Sequence, residues 1–118
     1  MTLKKEERIR KGYEFKRALK QGKDFTDIFF KAYLISSEQN SSRIGVIASK
    51  KIGGAVERNR IRRIFKEAFR GLKPEILKSV DMVILPRATA KAIKPDELKG
   101  RLKKALQSVS AIWREADD

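Results

Sequence analysis

The stretch of residues 57–70 constrains the fold most, because its residues separate into two chemically different faces when they are wound as a helix. At 100° per residue, one sector is apolar and the opposite sector is basic. The apolar sector contains Ile61, Ile64, Phe65, Ala68 and Phe69. The basic sector contains Arg58, Asn59, Arg62, Arg63, Lys66 and Arg70, with Arg60 at its edge. The pattern predicts a helix over about 55–69 that buries one face in a core.

The basic sector allows two interpretations. Arg58, Arg62 and Lys66 lie one turn apart, and like charges at this spacing destabilise an isolated helix by roughly 0.2–0.5 kcal/mol per pair. The sector is either a solvated face of a core helix or a phosphate-binding face. The preference for arginine favours phosphate, because guanidinium groups bind phosphate through paired hydrogen bonds and also stack on bases. Lys50 and Lys51 extend the basic set toward the helix N-terminus, where the helix dipole also favours phosphate.

The net charge of the chain points the same way. The sequence contains 29 Lys and Arg residues against 15 Asp and Glu residues, which gives a formal charge of +14. Self-repulsion of this size destabilises a compact protein unless a polyanion neutralises it. The charge predicts nucleic acid as the first class of partner and an anionic membrane surface as the second.

The composition also bears on chemistry and location. The chain has no histidine, the commonest general base, and its acidic residues are scattered along the sequence. A nuclease acting alone is therefore disfavoured, and we assign no catalytic residue and no metal ligand. The lack of cysteine suits a reducing compartment. Because no apolar run approaches the roughly 20 residues of a membrane span and residues 1–11 do not form a signal peptide, we expect a cytoplasmic protein without a membrane partner.

The rest of the sequence predicts three strands and two further helices in a single domain of residues 1–118. Residues 13–21 form a short helix that ends at Gly22, a position where the left-handed conformation is wanted. Residues 25–35 and 44–49 are strands that pair as a hairpin, and residues 80–85 are a third, buried strand. Pro95 opens a last helix. Its buried face contains Leu98, Leu102, Ala105, Leu106, Val109, Ile112 and Trp113. The order α-β-β-α-β-α predicts an α+β sandwich of two layers.

A second candidate surface combines the first helix with the first strand. The alternation in that strand places Phe30, Ala32 and Leu34 on one face and Phe29, Lys31, Tyr33 and Ile35 on the other. Tyr33 and Lys31, together with Phe15 and Leu19 of the helix, suit unpaired nucleotides, which stack on aromatic rings. Core packing is the alternative, and the residues alone favour it, because Phe15 and Leu19 are four apart, as in any packed helix.

Residues 49–63, which read SKKIGGAVERNRIRR, resemble the signature of the bacterial ribonuclease P protein family, with Arg58, Asn59 and Arg60 at its centre. The similarity continues upstream from Glu14 and Phe15 to Gly22, and downstream in residues 81–84 with Arg87. It covers residues 8–113, most of the chain. A general RNA-binding or ribosomal protein and an autonomous nuclease are the alternatives, and the linked Gly-Gly and Arg-Asn-Arg motif favours the ribonuclease P protein over the former.

The resemblance implies a ribonucleoprotein. In this family a separate RNA subunit removes the 5′ leader of precursor tRNA, with Mg²⁺ held mainly by RNA and substrate, and the protein raises the affinity for substrate and lowers the metal requirement. The implied partners are the catalytic RNA subunit and precursor tRNA, with no DNA. The implied fold resembles the second domain of ribosomal protein S5, with a left-handed crossover between the parallel strands 44–49 and 80–85.

The resemblance also assigns roles to residues. Arg58, Asn59 and Arg60, with Arg62 and Arg63 beside them, would face the RNA subunit, and the basic patch continues through Lys50, Lys51, Lys66 and Arg70. Phe15, Lys31 and Tyr33 would line a cleft for the leader, which reverses the preference for core packing at Phe15. Leu19 stands where the family often has an aromatic residue, so its stacking role is in doubt.

Overall fold

A computed structural model describes residues 7–111 and shows an α+β fold, which confirms the predicted class. The helices are α1 (Gly12–Gln21), α2 (Ala55–Leu72) and α3 (Pro95–Ser108). The strands are β1 (Lys23–Thr26), β2 (Phe30–Ser36), β3 (Arg43–Val46) and β4 (Val80–Pro86). Two short 3₁₀ turns, Lys73–Glu75 and Ala88–Ala92, follow α2 and β4.

The predicted first strand, residues 25–35, is in fact two strands. Asp27 interrupts it: its carboxylate Oδ2 accepts a hydrogen bond from the backbone N–H of Phe29 at 2.9 Å, and its own N–H donates to the carbonyl of Phe30. An aspartate that bonds the backbone two residues on mimics a turn, so the chain reverses here. β1 and β2 pair as an antiparallel hairpin, and the element order contains one strand more than predicted.

The predicted hairpin between the strands 25–35 and 44–49 is wrong. The sheet order is β1-β2-β4-β3, so β4 lies between β2 and β3. β4 is antiparallel to β2 and parallel to β3. Nearly every residue of β4 is buried, which suits a central position. The parallel pairing of β3 with β4 agrees with the resemblance, and the hand of their crossover through α2 stays a prediction.

The sheet has two faces, and α2 and α3 pack on one of them. Phe30, Ala32 and Leu34 of β2 point to this face and are buried, which confirms the predicted alternation. The ring of Phe65 on α2 meets the ring of Phe30 edge-on, with centroids 5.6 Å apart. The buried residues of α2 are Ile61, Phe65, Ala68, Phe69 and Leu72, with Ile64 half-buried beside them. The predicted apolar sector of α2 is therefore the core-facing one.

The opposite sheet face carries α1 and a smaller cluster of Ile9, Ala18 and Val83. The prediction that Gly22 adopts the left-handed conformation is wrong, because its φ is −73° and its ψ is 154°. Glycine is needed there for a different reason. A Cβ atom at Gly22 would clash with the carbonyl oxygen of Ala18, which accepts a hydrogen bond from the Gly22 N–H as the helix ends.

The last helix begins at Pro95, as predicted, and ends at Ser108. Its buried residues are Leu98, Leu102, Ala105 and Leu106, and Val109 packs beside them from beyond the helix end. Ile112 and Trp113, also predicted for this face, lie outside the described residues. The predicted buried face is confirmed for residues 98–106, whereas Val109, predicted to lie in the helix, follows its end.

Candidate nucleic-acid interface

The basic side chains of α2 lie on the side of the helix that faces away from the sheet core. Asn59 and Arg63 are exposed, whereas Arg58, Arg60 and Arg62 are half-buried. Lys66 and Arg70, further along the same helix, are also half-buried. The sequence-predicted set is thus brought together on one face, and polar contacts fix some of its members.

Two hydrogen bonds orient the central motif. The Arg62 guanidinium donates to Oδ1 of Asn59 at 2.9 Å, and the Arg60 guanidinium donates to the carbonyl of Lys91 at 2.6 Å. Lys91 lies in the 3₁₀ turn after β4, and its ammonium is 3.6 Å from the carboxylate of Glu57. This turn therefore supports the first turns of α2 from the side.

Lys50 and Lys51 lie just before α2, where both side chains are exposed. Ile52, the next residue, is 1% exposed and belongs to the main core. The buried isoleucine anchors the connection between β3 and α2, so the two lysines project into solvent. Their position extends the basic face of α2 beyond the start of the helix.

A cavity of about 220 Å³ lies where α2 approaches the edge strand β3. Arg8, Arg62 and Lys66 line it. Burial lowers the pKa of Lys66, and the positive charges of Arg8 and Arg62 lower it further. The Nε atom of Arg8 is buried and has no hydrogen-bond partner among residues 7–111. Converging cations of this kind are favourable only with an anion between them.

The sequence analysis did not identify Arg8 as a site residue. Arg8 pairs with Ile44 in a parallel bridge, and the N–H of Ile9 donates to the carbonyl of Ile44 at 3.0 Å. The segment before α1 therefore adds to the edge of β3. The segment is too short to show a periodic pattern. The only hint in the sequence was the pair of arginines, Arg8 and Arg10, on either side of Ile9, which is buried.

The second predicted surface lies on the other sheet face, between α1 and the sheet. Phe15 packs over Gly45 of β3, where a Cβ atom would come within 2.5 Å of its ring carbon Cε1. Phe15 and Tyr33 are half-buried and pack against the cluster that contains Val83. Leu19, one turn further along α1, is 36% exposed and is not among the residues that pack against this cluster.

Lys31 and Tyr33 interact directly on this face. The Lys31 ammonium lies 5.4 Å from the centroid of the Tyr33 ring. It also lies 3.7 Å from the carboxylate of Asp24 on β1. The predicted cleft, defined by Phe15, Leu19, Lys31 and Tyr33, would combine a packed aromatic wall with a partly exposed cation. Phe15 packs on Gly45 and also lines the cavity at the edge of β3, so the packing and stacking interpretations are compatible.

A buried ionic network fixes the start of α1, the helix that carries Phe15 and Leu19. Arg43 of β3 donates to both carboxylate oxygens of Asp81 on β4, at 2.9 and 2.6 Å, and to Oε2 of Glu14 at 2.6 Å. Burial alone would raise the pKa of Glu14, but hydrogen bonds from Arg43 and from the backbone of Lys11 and Arg10 outweigh it and lower the pKa. The other carboxylate oxygen of Glu14 caps the N-terminus of α1.

The two surfaces meet at β3. Phe15 and Gly45, which border the cleft, also line the cavity that contains Arg62 and Lys66. The basic face of α2 and the predicted cleft lie on opposite sides of the sheet, and at Phe15 only the edge strand β3 separates them. An RNA chain bound to one surface could therefore come close to a chain bound to the other.

Residues 7–111 contain neither a membrane-spanning helix nor a cluster of metal-binding side chains. Within this range, none of the helices is long and apolar enough to cross a membrane. The same residues contain no group of three or more Asp, Glu, Cys or His side chains that could hold a metal ion. The features that this part of the chain does concentrate are cations and aromatic rings.

Comparison with known proteins agrees with these features. The family model for ribonuclease P matches residues 3–110. The ribonuclease P protein component of Exiguobacterium is 34% identical over 112 residues, which cover 95% of this chain and 96% of that protein. The protein component of Bacillus cereus is 41% identical over 103 residues, which cover 86% and 87%.

Solved structures show the same fold. The Staphylococcus aureus RNase P protein superimposes with a TM-score of 0.78 at 30% identity, over 91% of this chain and 98% of that chain. A mutant of the Staphylococcus aureus protein with defective mRNA degradation activity superimposes with a TM-score of 0.79 at 29% identity, over 90% of this chain and 90% of that chain. Fold, motif and sequence similarity over nearly the whole length agree, and this chain belongs to the ribonuclease P protein family.

Proposed function

We propose that this chain is the non-catalytic protein subunit of ribonuclease P, which binds the catalytic RNA subunit and the 5′ leader of precursor tRNA. The observation that carries the proposal is the meeting of two surfaces at β3, one basic and one aromatic. The surface for the RNA subunit consists of Lys50, Lys51, Arg58, Asn59, Arg60, Arg62, Arg63, Lys66 and Arg70. The surface for the leader consists of Phe15, Leu19, Lys31 and Tyr33.

The basic surface neutralises phosphates of the RNA subunit. Arginines arranged on one face of α2 can each form paired hydrogen bonds with a phosphate. The cavity of Arg8, Arg62 and Lys66 suits a single phosphate, because three cations converge there and the Arg8 Nε donor has no partner among the described residues. Burial lowers the pKa of Lys66, and the charges of Arg8 and Arg62 lower it further; a bound phosphate would offset both effects.

The cleft holds a single-stranded leader. A base stacks on an accessible aromatic ring whatever its identity, and the Lys31 ammonium takes a backbone phosphate. Because the Arg43 network fixes α1 against the sheet, Phe15 is held in place before the leader arrives. A preformed cleft lowers the entropy lost on binding.

The protein assists cleavage by position and charge. Holding the leader beside the RNA subunit orients the scissile bond, and cations near two polyanions reduce their mutual repulsion. Mg²⁺ supplies the metal-ion chemistry when it is bound by the RNA subunit and the substrate. The described residues offer it no cluster of carboxylates, so we assign the protein no ligand to it.

A cleavage assay tests this division of labour. The protein is freed of RNA and incubated with precursor tRNA and Mg²⁺, with and without the RNA subunit. We expect leader removal only when the RNA subunit is present. Cleavage of precursor tRNA by the RNA-free protein would contradict the proposal.

The Staphylococcus aureus relative suggests a second candidate, an mRNA-degrading activity of the protein. The same assay with an mRNA in place of precursor tRNA tests it. Degradation by the RNA-free protein would add an activity to this chain, whereas degradation only with the RNA subunit would assign it to the ribonucleoprotein.

A further inference from the structure

A second cavity lies at the start of α1, next to the cavity that contains Arg62 and Lys66. Its volume is about 310 Å³, at the lower end of the roughly 300–1,000 Å³ of small-molecule sites. Arg8, Arg10, Lys11 and Tyr13 are among the residues that line it. None of the four residues of the predicted leader cleft lines it.

Two of the cations in this cavity have no acidic partner. Arg43 also lines it, but Glu14 and Asp81 compensate its charge. Arg10 and Lys11 are exposed, and neither forms an ion pair with any of residues 7–111. The nearby carboxylate of Glu14 is already engaged, because one oxygen accepts from Arg43 and the other accepts from backbone N–H groups. The cavity therefore favours an anion.

Tyr13 adds an exposed aromatic ring beside these cations. It is 66% exposed, and the Lys11 ammonium lies 5.8 Å from the centroid of its ring. Core packing does not account for this ring, unlike that of Phe15, which lies against Gly45. A single exposed apolar residue is ordinary. An exposed ring beside unpaired cations, however, offers both contacts that an unpaired nucleotide makes, stacking for the base and charge for the phosphate.

Two arginines connect this cavity with the basic face of α2. Arg8 and Arg10 line both this cavity and the one that contains Arg62 and Lys66. The Nε atom of Arg8 is buried and lacks a hydrogen-bond partner within residues 7–111. An RNA chain on the basic face of α2 therefore meets a continuous series of cations that leads to Tyr13.

We propose that Tyr13 is a stacking site for one unpaired nucleotide of the RNA subunit, whose phosphate is bound by Arg8 and Arg10. This inference rests on the proposed function, because it needs the RNA subunit on the basic face of α2. The site differs from the predicted leader cleft in its position and in its partner. It adds a neutral stacking contact to a surface that otherwise binds through charge.

The test measures the affinity of the protein for the RNA subunit in the absence of precursor tRNA. Tyr13→Ala should weaken assembly about 5- to 150-fold, which is the contribution of one base stacked on an aromatic ring. Tyr13→Phe keeps the ring and should assemble as the wild type does. Leu77→Ala is the matched control, because Leu77 is 70% exposed and lines neither cavity. It should leave the affinity unchanged.

The salt dependence of assembly separates stacking from charge. A neutral ring displaces no counterions, so Tyr13→Ala should weaken assembly without changing the slope of log affinity against log salt. Arg10→Ala should reduce the magnitude of this slope by roughly 0.7–0.9, as the loss of one phosphate contact would. An Arg10→Ala slope equal to that of the wild type would contradict a phosphate in this cavity.

Three further results would overturn the inference. Assembly that is unchanged in Tyr13→Ala would mean that no base stacks on the ring. Equal losses in Tyr13→Ala and Tyr13→Phe would mean that the hydroxyl group, and not the ring, makes the contact. A loss that appears only in the binding of precursor tRNA, with assembly and mature tRNA unaffected, would assign the ring to the leader.

The proposed function can fail separately from this inference. If Arg60→Ala combined with Arg63→Ala assembles as tightly as the wild type does, the basic face of α2 is not the surface for the RNA subunit. If that double variant assembles more weakly and Tyr13→Ala does not, only the role of Tyr13 is wrong.

Discussion

Arg43 and Asp81 form a buried, bidentate ion pair between β3 and β4, with side chains only 8% and 2% exposed. The pair joins residues that face each other in the parallel register. Because Arg43 also holds Glu14 at the start of α1, this one guanidinium connects the edge of the sheet with the wall of the proposed leader cleft. Its charge is compensated by two carboxylates rather than by water.

We predict that Asp81→Ala lowers the free energy of unfolding by about 3–5 kcal/mol, because it leaves Arg43 buried without its main partner. Urea unfolding followed by circular dichroism measures this change. Glu38→Ala is the control, since Glu38 is 73% exposed in its ion pair with Arg17 and its loss should cost less than about 1 kcal/mol. Equal losses in the two variants would show that burial does not govern the Arg43 network.

The stability of the protein should also fall in acid through Glu14. Its pKa lies below the ordinary value of 4.5, so its contribution is present at higher pH and is lost as the pH falls below 4.5 through the folded-state pKa. The free energy of unfolding, measured from roughly pH 3 to pH 7 in steps of about one pH unit, gives the profile. Glu14→Gln should flatten the acidic part of this profile, and an unchanged slope in that variant would contradict the assignment.

The basic face of α2 should control assembly with the RNA subunit. We predict that Arg60→Ala combined with Arg63→Ala weakens assembly by at least about 10-fold, because a hydrogen bond to a charged group contributes roughly 1.5–3 kcal/mol. The loss should be the same for any leader sequence. A filter-binding titration of the RNA subunit measures it.

The matched control for this pair removes the same charge elsewhere. Lys99 and Lys104 are exposed on α3, so Lys99→Ala with Lys104→Ala keeps the net charge of the test variant. If both double variants weaken assembly equally, total charge rather than the face of α2 determines binding. Unchanged thermal unfolding must accompany the result, because Arg60 also supports the turn at Lys91.

The affinity for the RNA subunit should fall steeply with salt, and Arg8 should contribute to the slope. When the logarithm of the affinity is plotted against the logarithm of the salt concentration, each phosphate contact adds about 0.7–0.9 to the magnitude of the slope. Arg8→Ala should therefore reduce the slope by somewhat less than one unit, if the cavity with Arg62 and Lys66 holds a phosphate. A slope identical to that of the wild type would place the phosphate elsewhere, and a flat response for the wild type would mean that charge is not the determinant.

Local patterns in the sequence predicted the parts of the fold that depend on local geometry. The 3.6-residue period of α2 identified Ile61, Phe65 and Phe69 as core residues, and alternation identified the buried face of β2, because each depends only on neighbouring positions. The basic face of α2 followed from the same period. The resemblance added the parallel pairing of β3 with β4, which no local pattern contains.

Contacts between distant segments account for what was missed. The central position of β4 depends on which strands pair with it. The alternation of buried and exposed residues within a strand is the same whichever strand lies beside it, so the sequence does not identify the neighbour. Arg8 joins the site only because its segment pairs with β3. The partnership of Arg43 with Asp81 spans 38 positions. The sequence did contain a hint of this pair: Arg43 and Asp81 are single charges next to apolar strand residues, and buried charges in proteins are paired.

The central claim is that the aromatic cleft binds the leader and the basic face of α2 does not. The most direct measurement compares the affinities of precursor tRNA and mature tRNA for ribonucleoproteins that contain wild-type protein, Tyr33→Ala or Tyr33→Leu. Loss of one stacked base predicts that both variants weaken precursor binding by about 1–3 kcal/mol and leave mature tRNA, which has no leader, unaffected. Equal weakening of precursor and mature tRNA, in variants that unfold at the wild-type temperature, would contradict the account.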